Sequence, residues 1–202
     1  MNLATEHTEI TEIFDKTVHD LRVFRGYLHG VSLSKCHYSL TPFFSFFLML
    51  FKESPEKFWD LISTRYAASP ISDRAAYETK IKKIKTYLTP EDVVLDIGCG
   101  TGTQCGDLAG CVKQVTGIDI SRKLLAVAEQ RRAERKLDNV AFLQTSLFDE
   151  RFQPASFDVV MAFYVLHFFE DMDAVFQRIH DLLKPGGLFI SETSCMGAKS
   201  KM

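Results

Sequence analysis

The stretch Val93–Gly102 reads Val-Val-Leu-Asp-Ile-Gly-Cys-Gly-Thr-Gly, and it decides the fold. Its largely apolar first half, ending at Ile97, predicts a buried strand. Gly98, Gly100 and Gly102 alternate through the turn that follows, and a helix begins at Thr103. Glycine suits a backbone that turns sharply and approaches a ligand closely, although a purely structural turn is the alternative.

Asp96, two residues before the first glycine, indicates which kind of ligand the turn accepts. The dinucleotide fingerprint is G-x-G-x-x-G, whereas here the third glycine comes one residue early and Thr103 takes its place. A carboxylate is also unfavourable beside a pyrophosphate and suits a positively charged ligand. A nicotinamide-dependent oxidoreductase is therefore the disfavoured alternative.

Strands and helices alternate on the C-terminal side of this turn. Helices are predicted from Thr103, after a Ser121 cap, and over Met172–Leu183, where apolar residues recur at helical spacing. Further strands are predicted at Val115–Ile118, Val140–Leu143, Phe157–Ala162 and Leu188–Ser191. This alternation predicts an α/β fold with a parallel sheet built from right-handed crossovers.

The N-terminal part has a different character. Thr8–Phe24 has the apolar spacing of a helix, and the apolar run Pro42–Phe51 is interpreted as a covering element, with an interfacial anchor as the alternative. Ser54-Pro55-Glu56 predicts a helix start, and Ser72 or Asp73 caps a second helix. The basic clusters Lys80–Lys85 and Arg131–Lys136 lie on helical patterns and are predicted to be solvated.

Composition excludes several classes of function. The net charge of −2 and the pI near 6.3 give no electrostatic reason to expect a nucleic-acid partner. Five cysteines without a C-x-x-C pair predict reduced thiols, no metal site and a cytoplasmic location. The run Pro42–Phe51 is about half the ~20 residues that a spanning helix needs, so no membrane span is predicted.

A second acidic residue follows the next strand. Asp119, in Gly117-Ile118-Asp119-Ile120-Ser121, comes 21 residues after Gly98. At that place an acidic side chain can accept hydrogen bonds from both hydroxyls of a ribose. The alternative makes Asp119 only a polar residue before the Ser121 cap.

These motifs together resemble the class I S-adenosylmethionine-dependent methyltransferases, especially small bacterial members that methylate small molecules or quinone-type lipids. The resemblance covers about residues 54–195. It rests on the glycine loop, Asp119, Ser156-Phe157-Asp158-Val159-Val160 and Leu183-Lys184-Pro185-Gly186-Gly187 in family order. It implies a Rossmann-like, doubly wound sheet with helices on both faces. The predicted domains are an appended extension over 1–51 and the methyltransferase domain over 52–202.

The resemblance also implies S-adenosylmethionine as the cofactor, which carries an ammonium and a sulfonium, and a small-molecule methyl acceptor. The implied cofactor site comprises Asp96, Gly98, Cys99, Gly100, Thr101, Gly102, Asp119, Ile120, Ser146, Leu147, Phe148, Phe163 and Tyr66. Many relatives have an acidic residue at the position of Ser146, so the adenine contact departs from the family here.

His167 is the candidate general base, since it follows the fourth predicted strand near the expected acceptor site. The alternative is a histidine that is hydrogen-bonded beneath a helix cap. A base is not required by the chemistry, because the sulfonium is an activated methyl donor that needs mainly an aligned acceptor and a dry site.

The predicted sheet has five of the family's seven strands. Leu188–Ser191 would then form a bare apolar edge, which predicts self-association, such as a homodimer, unless the N-terminal aromatic run covers it. A second functional hypothesis follows: a truncated, catalytically impaired domain that binds the cofactor and acts through self-association.

Overall fold

The computed structural model describes residues 21–25 and 54–193. Five α-helices and six strands follow one another in that part of the chain. The helices are α1 (Pro55–Ala68), α2 (Arg74–Lys85), α3 (Thr103–Leu108), α4 (Arg122–Glu134) and α5 (Met172–Leu182). The strands are β1 (Leu21–Arg25), β2 (Val93–Ile97), β3 (Gln114–Asp119), β4 (Val140–Gln144), β5 (Phe157–Phe163) and β6 (Leu183–Glu192).

The six strands form one sheet in the order β1-β6-β5-β2-β3-β4. Strands β2 to β6 are parallel, as the alternation of strands and helices predicts, and only β1 is antiparallel. The chain moves outward from β2 in one direction to β3 and in the other to β5. This reversal opens a crevice beyond the carboxyl ends of the central strands, where ligands bind in folds of this kind.

Alternate residues of β2 face opposite sides of the sheet and fill two cores. Val94 lies in a core formed with α2 and α3, which contribute residues such as Ile84 and Leu108. Leu95 lies in the other core, with α5 residues such as Ile179. The Rossmann-like fold with helices on both faces is therefore confirmed.

Side-chain caps start the helices where the sequence predicts them. Ser54 caps α1, and Asp73 rather than Ser72 caps α2, where its Oδ1 accepts a hydrogen bond from the Ala76 N–H at 2.9 Å. Ser121 caps α4, and its Oγ accepts from the Leu124 N–H at 3.2 Å. Each cap satisfies an N–H that the first helical turn leaves without a partner.

The predicted bare sheet edge is wrong. β1 pairs with β6 in antiparallel register, with Val23 opposite Ile190. The predicted helix Thr8–Phe24 is also wrong at its C-terminal end, because residues 21–24 belong to this strand; residues 8–20 and the run Pro42–Phe51 lie outside the described residues. Helical spacing records only local periodicity, whereas the edge of β6 offers a row of backbone hydrogen bonds.

Removal of β1 should expose that edge. We expect a chain that lacks residues 1–25 to associate at rising concentration in sedimentation velocity, because an apolar strand edge pairs with another copy. A chain that lacks residues 1–20 keeps β1 and is the matched control. Identical sedimentation of the two chains would contradict a protective role for β1.

Candidate cofactor and acceptor site

A cavity of about 1200 Å³ opens at the carboxyl ends of the central strands. The loops after β2 and β3 and the ends of β5 and β6 line it, and α1 contributes Trp59 and Tyr66. The cavity therefore lies in the crevice that the strand order creates.

The glycine loop forms the part of the cavity that follows β2. Gly98, Gly100 and Gly102 all have left-handed backbone, with φ of 69°, 54° and 70°. A Cβ at Gly98 would lie 2.6 Å from a Val165 methyl carbon, and one at Gly102 would lie 2.5 Å from the Phe142 ring. Conformation and close packing thus both require glycine at these two positions.

Asp96 provides a buried carboxyl group on the cavity wall. Its side chain is almost fully buried, and the Cys105 thiol donates a hydrogen bond to Oδ2 at 3.2 Å. Burial raises the pKa of Asp96 to about 7, while the Cys105 hydrogen bond and the charge of Lys80 oppose the shift. A carboxyl group in this state is stabilised in its ionised form by a cationic ligand.

Asp119 is held rigidly at the end of β3. Its Oδ2 accepts the Gly100 N–H at 2.9 Å and its Oδ1 accepts the Ser121 N–H at 2.8 Å. Burial raises the pKa of Asp119, and these backbone donors oppose the rise. Each carboxylate oxygen keeps a second lone pair, so the group can still accept hydrogen bonds from a ligand.

Helix α1 covers the loop, and polar contacts attach it to the sheet domain. Asp60 Oδ1 accepts hydrogen bonds from Ser121 Oγ at 2.6 Å and from the Lys123 N–H at 3.1 Å. Tyr66 lies above Gly100, where an added Cβ would be 3.6 Å from the tyrosine ring. Burial, followed by the charges of Asp119 and Asp96, raises the pKa of Tyr66, which keeps its phenol neutral.

The structure brings most of the predicted site residues to this one cavity. The lining includes Asp96, Gly98, Cys99, Gly100, Thr101, Gly102, Asp119, Ile120, Ser146, Leu147, Phe163 and Tyr66. They come from α1 and from the ends of β2, β3, β4 and β5, and all of them line the same crevice.

Phe148 and His167 lie apart from that lining. Phe148 is 46% exposed and packs edge-to-face on Phe169 at 6.4 Å between ring centroids. His167 is exposed, and its ring contacts that of Phe168 in a tilted arrangement with 3.9 Å between centroids; the partial loss of solvation lowers its pKa. Their predicted roles in adenine packing and proton transfer stay predictions.

Sequence reasoning missed Lys80 and Glu192, which line the cavity together with Tyr164. The prediction that Lys80 lies on a solvated face is wrong: its side chain is 7% exposed and pairs with Glu192. A signal was present, because Lys80 lies three residues after Tyr77 and four before Ile84, on the apolar side of α2. Its partner is 112 residues away, which no local pattern reveals.

A family model described as "Methyltransferase domain" matches residues 88–202, more than half of the chain. The chain belongs to the methyltransferase domain family. This membership confirms the resemblance to class I S-adenosylmethionine-dependent methyltransferases, and with it the cofactor that the resemblance implies at the level of the family.

Individual relatives agree with the family. Over 108 residues, 53% of its length, the chain is 36% identical to the ubiquinone biosynthesis O-methyltransferase of Albidiferax ferrireducens, and it covers 43% of that protein. It is 35% identical over 116 residues, 55% of its length, to phosphoethanolamine N-methyltransferase 2 of Caenorhabditis elegans, and covers 26% of it. The methyltransferase chain thus spans less than half the length of these two relatives.

A solved structure with the same fold is the YcgJ protein of Bacillus subtilis. It superposes with a TM-score of 0.53 at 26% identity, over 56% of this chain and 50% of that one. The superposed part of this methyltransferase domain therefore has a fold that is known from experiment.

Substitution of Gly102 by alanine should destabilise the domain. We expect Gly102→Ala to lower the free energy of unfolding by about 2–4 kcal/mol, because it adds left-handed strain to a clash with Phe142 and Ala128. Urea denaturation measures the change. Gly110→Ala is the control, since its Cβ meets no atom within 4 Å; equal losses for both would contradict this account.

Proposed function

We propose that this chain transfers the methyl group of S-adenosylmethionine to a small-molecule acceptor. The observation that carries the proposal is that Asp96, the glycine loop and Asp119 line one cavity beneath Tyr66. A buried carboxyl group, a close-approach loop and a second carboxylate match a ligand with a cationic end and a ribose.

The methionyl end of the cofactor fits the wall around Asp96. The carboxyl group is buried and hydrogen-bonded on one side by Cys105, so its ionised form needs a cationic partner. The ammonium group of the cofactor supplies that charge. The left-handed glycines keep side-chain atoms out of the turn, so the ligand can approach the backbone.

The ribose fits Asp119, and the adenine fits the end of β4. Both oxygens of Asp119 retain a lone pair for a hydroxyl. Ile120, Ser146 and the buried Leu147 offer an apolar surface with a single hydroxyl. Ser146 takes the place where many relatives have an acidic residue, so a weaker polar contact with the adenine is expected.

The chain's part in the reaction is alignment and exclusion of water. When bound, the cofactor supplies a methyl group that is already activated by the sulfonium. Helix α1, attached through Asp60, covers the loop, and the aromatic rings of Trp59 and Phe168 pack edge-to-face at 5.4 Å on the cavity wall. With the cofactor and the acceptor bound, exclusion of water from this cavity and alignment of the two ligands would favour in-line transfer.

Relatives support a small acceptor. The two curated relatives above are named for ubiquinone biosynthesis and for phosphoethanolamine methylation. A Haemonchus contortus phosphoethanolamine N-methyltransferase, 31% identical over 58% of this chain and with 28% of its own length covered, is known in complex with phosphomonomethylethanolamine and S-adenosylhomocysteine (TM-score 0.53). We therefore favour a small molecule over a nucleic acid.

The predicted cytoplasmic location is retained, and the free thiols of Cys99, Cys105 and Cys111 are compatible with it. The helices within the described residues are all too short or too polar to cross a membrane. The alternative hypothesis of a catalytically silent, self-associating domain was based on a bare edge at β6. That edge is occupied by β1, so the hypothesis no longer has this support.

Asp119 should govern cofactor affinity. We expect Asp119→Ala to weaken S-adenosylhomocysteine binding by about 10- to 100-fold, since hydrogen bonds to a charged acceptor contribute about 1.5–3 kcal/mol. Titration calorimetry measures the dissociation constant. The control is Asp138→Ala at an exposed aspartate outside the cavity lining; an unchanged affinity in Asp119→Ala would argue against a ribose role.

Cofactor affinity should also fall in mild acid. Below a pKa of about 7 the Asp96 carboxyl becomes neutral in the free protein, so a cationic ligand loses up to about tenfold in affinity per pH unit. Titrations with S-adenosylhomocysteine between pH 5.5 and 8 test this. Lys80, Cys105 and Asp119 face the same group, so Asp96→Asn is needed as the reference, and it should bind weakly with a flat profile. A pH response that persists in Asp96→Asn would assign the effect to another group.

A further inference from the structure

A buried polar cluster lies at the ends of β5 and β6. Lys80 Nζ pairs with Glu192 Oε2 at 2.6 Å, and the Tyr164 hydroxyl donates to Glu192 Oε1 at 2.6 Å. The side chains of Lys80 and Glu192 are 7% and 4% exposed. A buried pair of this kind needs nearly complete mutual satisfaction, and the tyrosine supplies the second hydrogen bond to the carboxylate.

The cluster lies on the side of the cavity away from the proposed ribose position. In the strand order β6-β5-β2-β3, the glycine loop after β2 separates Glu192 and Tyr164 from Asp119. All three members of the cluster line the cavity. None of them is needed for the proposed contacts with the cofactor, so they are available to the methyl acceptor.

Aromatic rings surround the charge of Lys80. Its Nζ lies 5.1 Å from the ring centroid of Phe163, 5.4 Å from that of Tyr77 and 5.5 Å from that of Tyr164. These rings stabilise the ammonium group through their electron-rich faces. The same rings give this end of the cavity an apolar character that suits a flat, unsaturated ligand.

The charges of Lys80 and Glu192 cancel, and this favours a neutral acceptor at this end of the cavity. Lys80 already neutralises Glu192, so neither charge is left for a phosphate or a carboxylate of the acceptor. Tyr164 is 43% exposed, whereas its two partners are buried, so Tyr164 is the member of the cluster that is open to a ligand. Its proton is committed to Glu192, and its oxygen can therefore accept a hydrogen bond.

The backbone of Tyr164 shows that this placement is imposed by the fold. Tyr164 has a φ of 54°, in the left-handed region that an aromatic residue seldom adopts. Its N–H donates to the Glu192 carbonyl at 2.8 Å, so the same residue anchors both its backbone and its side chain. Strain of this kind persists where surrounding contacts enforce it, commonly at ligand sites.

We propose that Tyr164, positioned by Glu192 and Lys80, accepts a hydrogen bond from a hydroxyl group of a neutral aromatic acceptor. The inference rests on the proposed function, because it takes the rest of the cavity to be filled by the cofactor. Tyr164 touches the acceptor, and Glu192 and Lys80 are positioning residues. The neutral cluster discriminates against acceptors that carry a negative charge at this end.

The test uses the full chain saturated with S-adenosylhomocysteine and three matched probes. They are 4-methylcatechol, its dimethyl ether, which has no hydroxyl to donate, and protocatechuate, which carries a carboxylate in place of the methyl group. Calorimetry gives each dissociation constant. We expect 4-methylcatechol to bind at least about tenfold more tightly than the other two.

Two variants separate contact from positioning. Tyr164→Phe should weaken the binding of 4-methylcatechol about tenfold. It should leave the dissociation constant of the dimethyl ether within about twofold of its value in the parent chain. Glu192→Gln removes the negative charge that balances Lys80, so it should strengthen the binding of protocatechuate relative to that of 4-methylcatechol. A structural defect would not produce this effect. Tyr87→Phe, at a partly buried tyrosine outside the cavity lining, is the control and should change neither probe.

Melting curves and the affinity for S-adenosylhomocysteine verify that each variant is folded. Equal binding of 4-methylcatechol to the parent chain and to Tyr164→Phe, absence of such binding, or a preference of the parent chain for protocatechuate would overturn the inference alone. Failure of the parent chain to bind S-adenosylhomocysteine would overturn the proposed function and this inference with it.

Discussion

The left-handed backbone between β2 and α3 is the constraint on which the site depends. Gly98 and Gly102 pack against Val165 and Phe142 so closely that no Cβ fits. That packing brings the backbone N–H of Gly100 to Asp119, 19 residues later in the chain. The loop thereby fixes the carboxylate at the end of β3, and the ends of two strands become one binding surface.

Two carboxyl groups, those of Asp96 and Glu192, are buried, and the structure compensates their burial in different ways. Asp96 is buried, and its one side-chain hydrogen-bond donor among the described residues is the Cys105 thiol, so its pKa rises and it favours a cationic partner. Glu192 is buried with both an ammonium and a phenol, so its carboxylate is satisfied within the protein. A buried carboxylate that lacks protein partners favours a charged ligand. One whose charge and hydrogen bonds are satisfied within the protein forms a neutral and rigid part of the cavity surface.

Much of the architecture followed from short-range patterns. The strand Val93–Ile97 has the predicted bounds and the next helix begins at Thr103 as predicted, because apolar runs and glycine turns are local signals. The adjacency of Asp96, Asp119 and Ser146 could also be expected, since parallel strands place their carboxyl ends at one edge of the sheet. Periodicity failed at Leu21–Arg25, where a helical pattern pairs as a strand with β6.

The sequence by itself determined the parallel α/β core, the glycine loop and the family, because these depend on residues near one another or on motifs in fixed order. Only the tertiary structure decided the partners of Lys80 and the exposure of His167 and Phe148. It also decided which strand lies beside β6. These features depend on contacts between distant segments, such as the 112 residues from Lys80 to Glu192, and their energies are set by the burial that those contacts create.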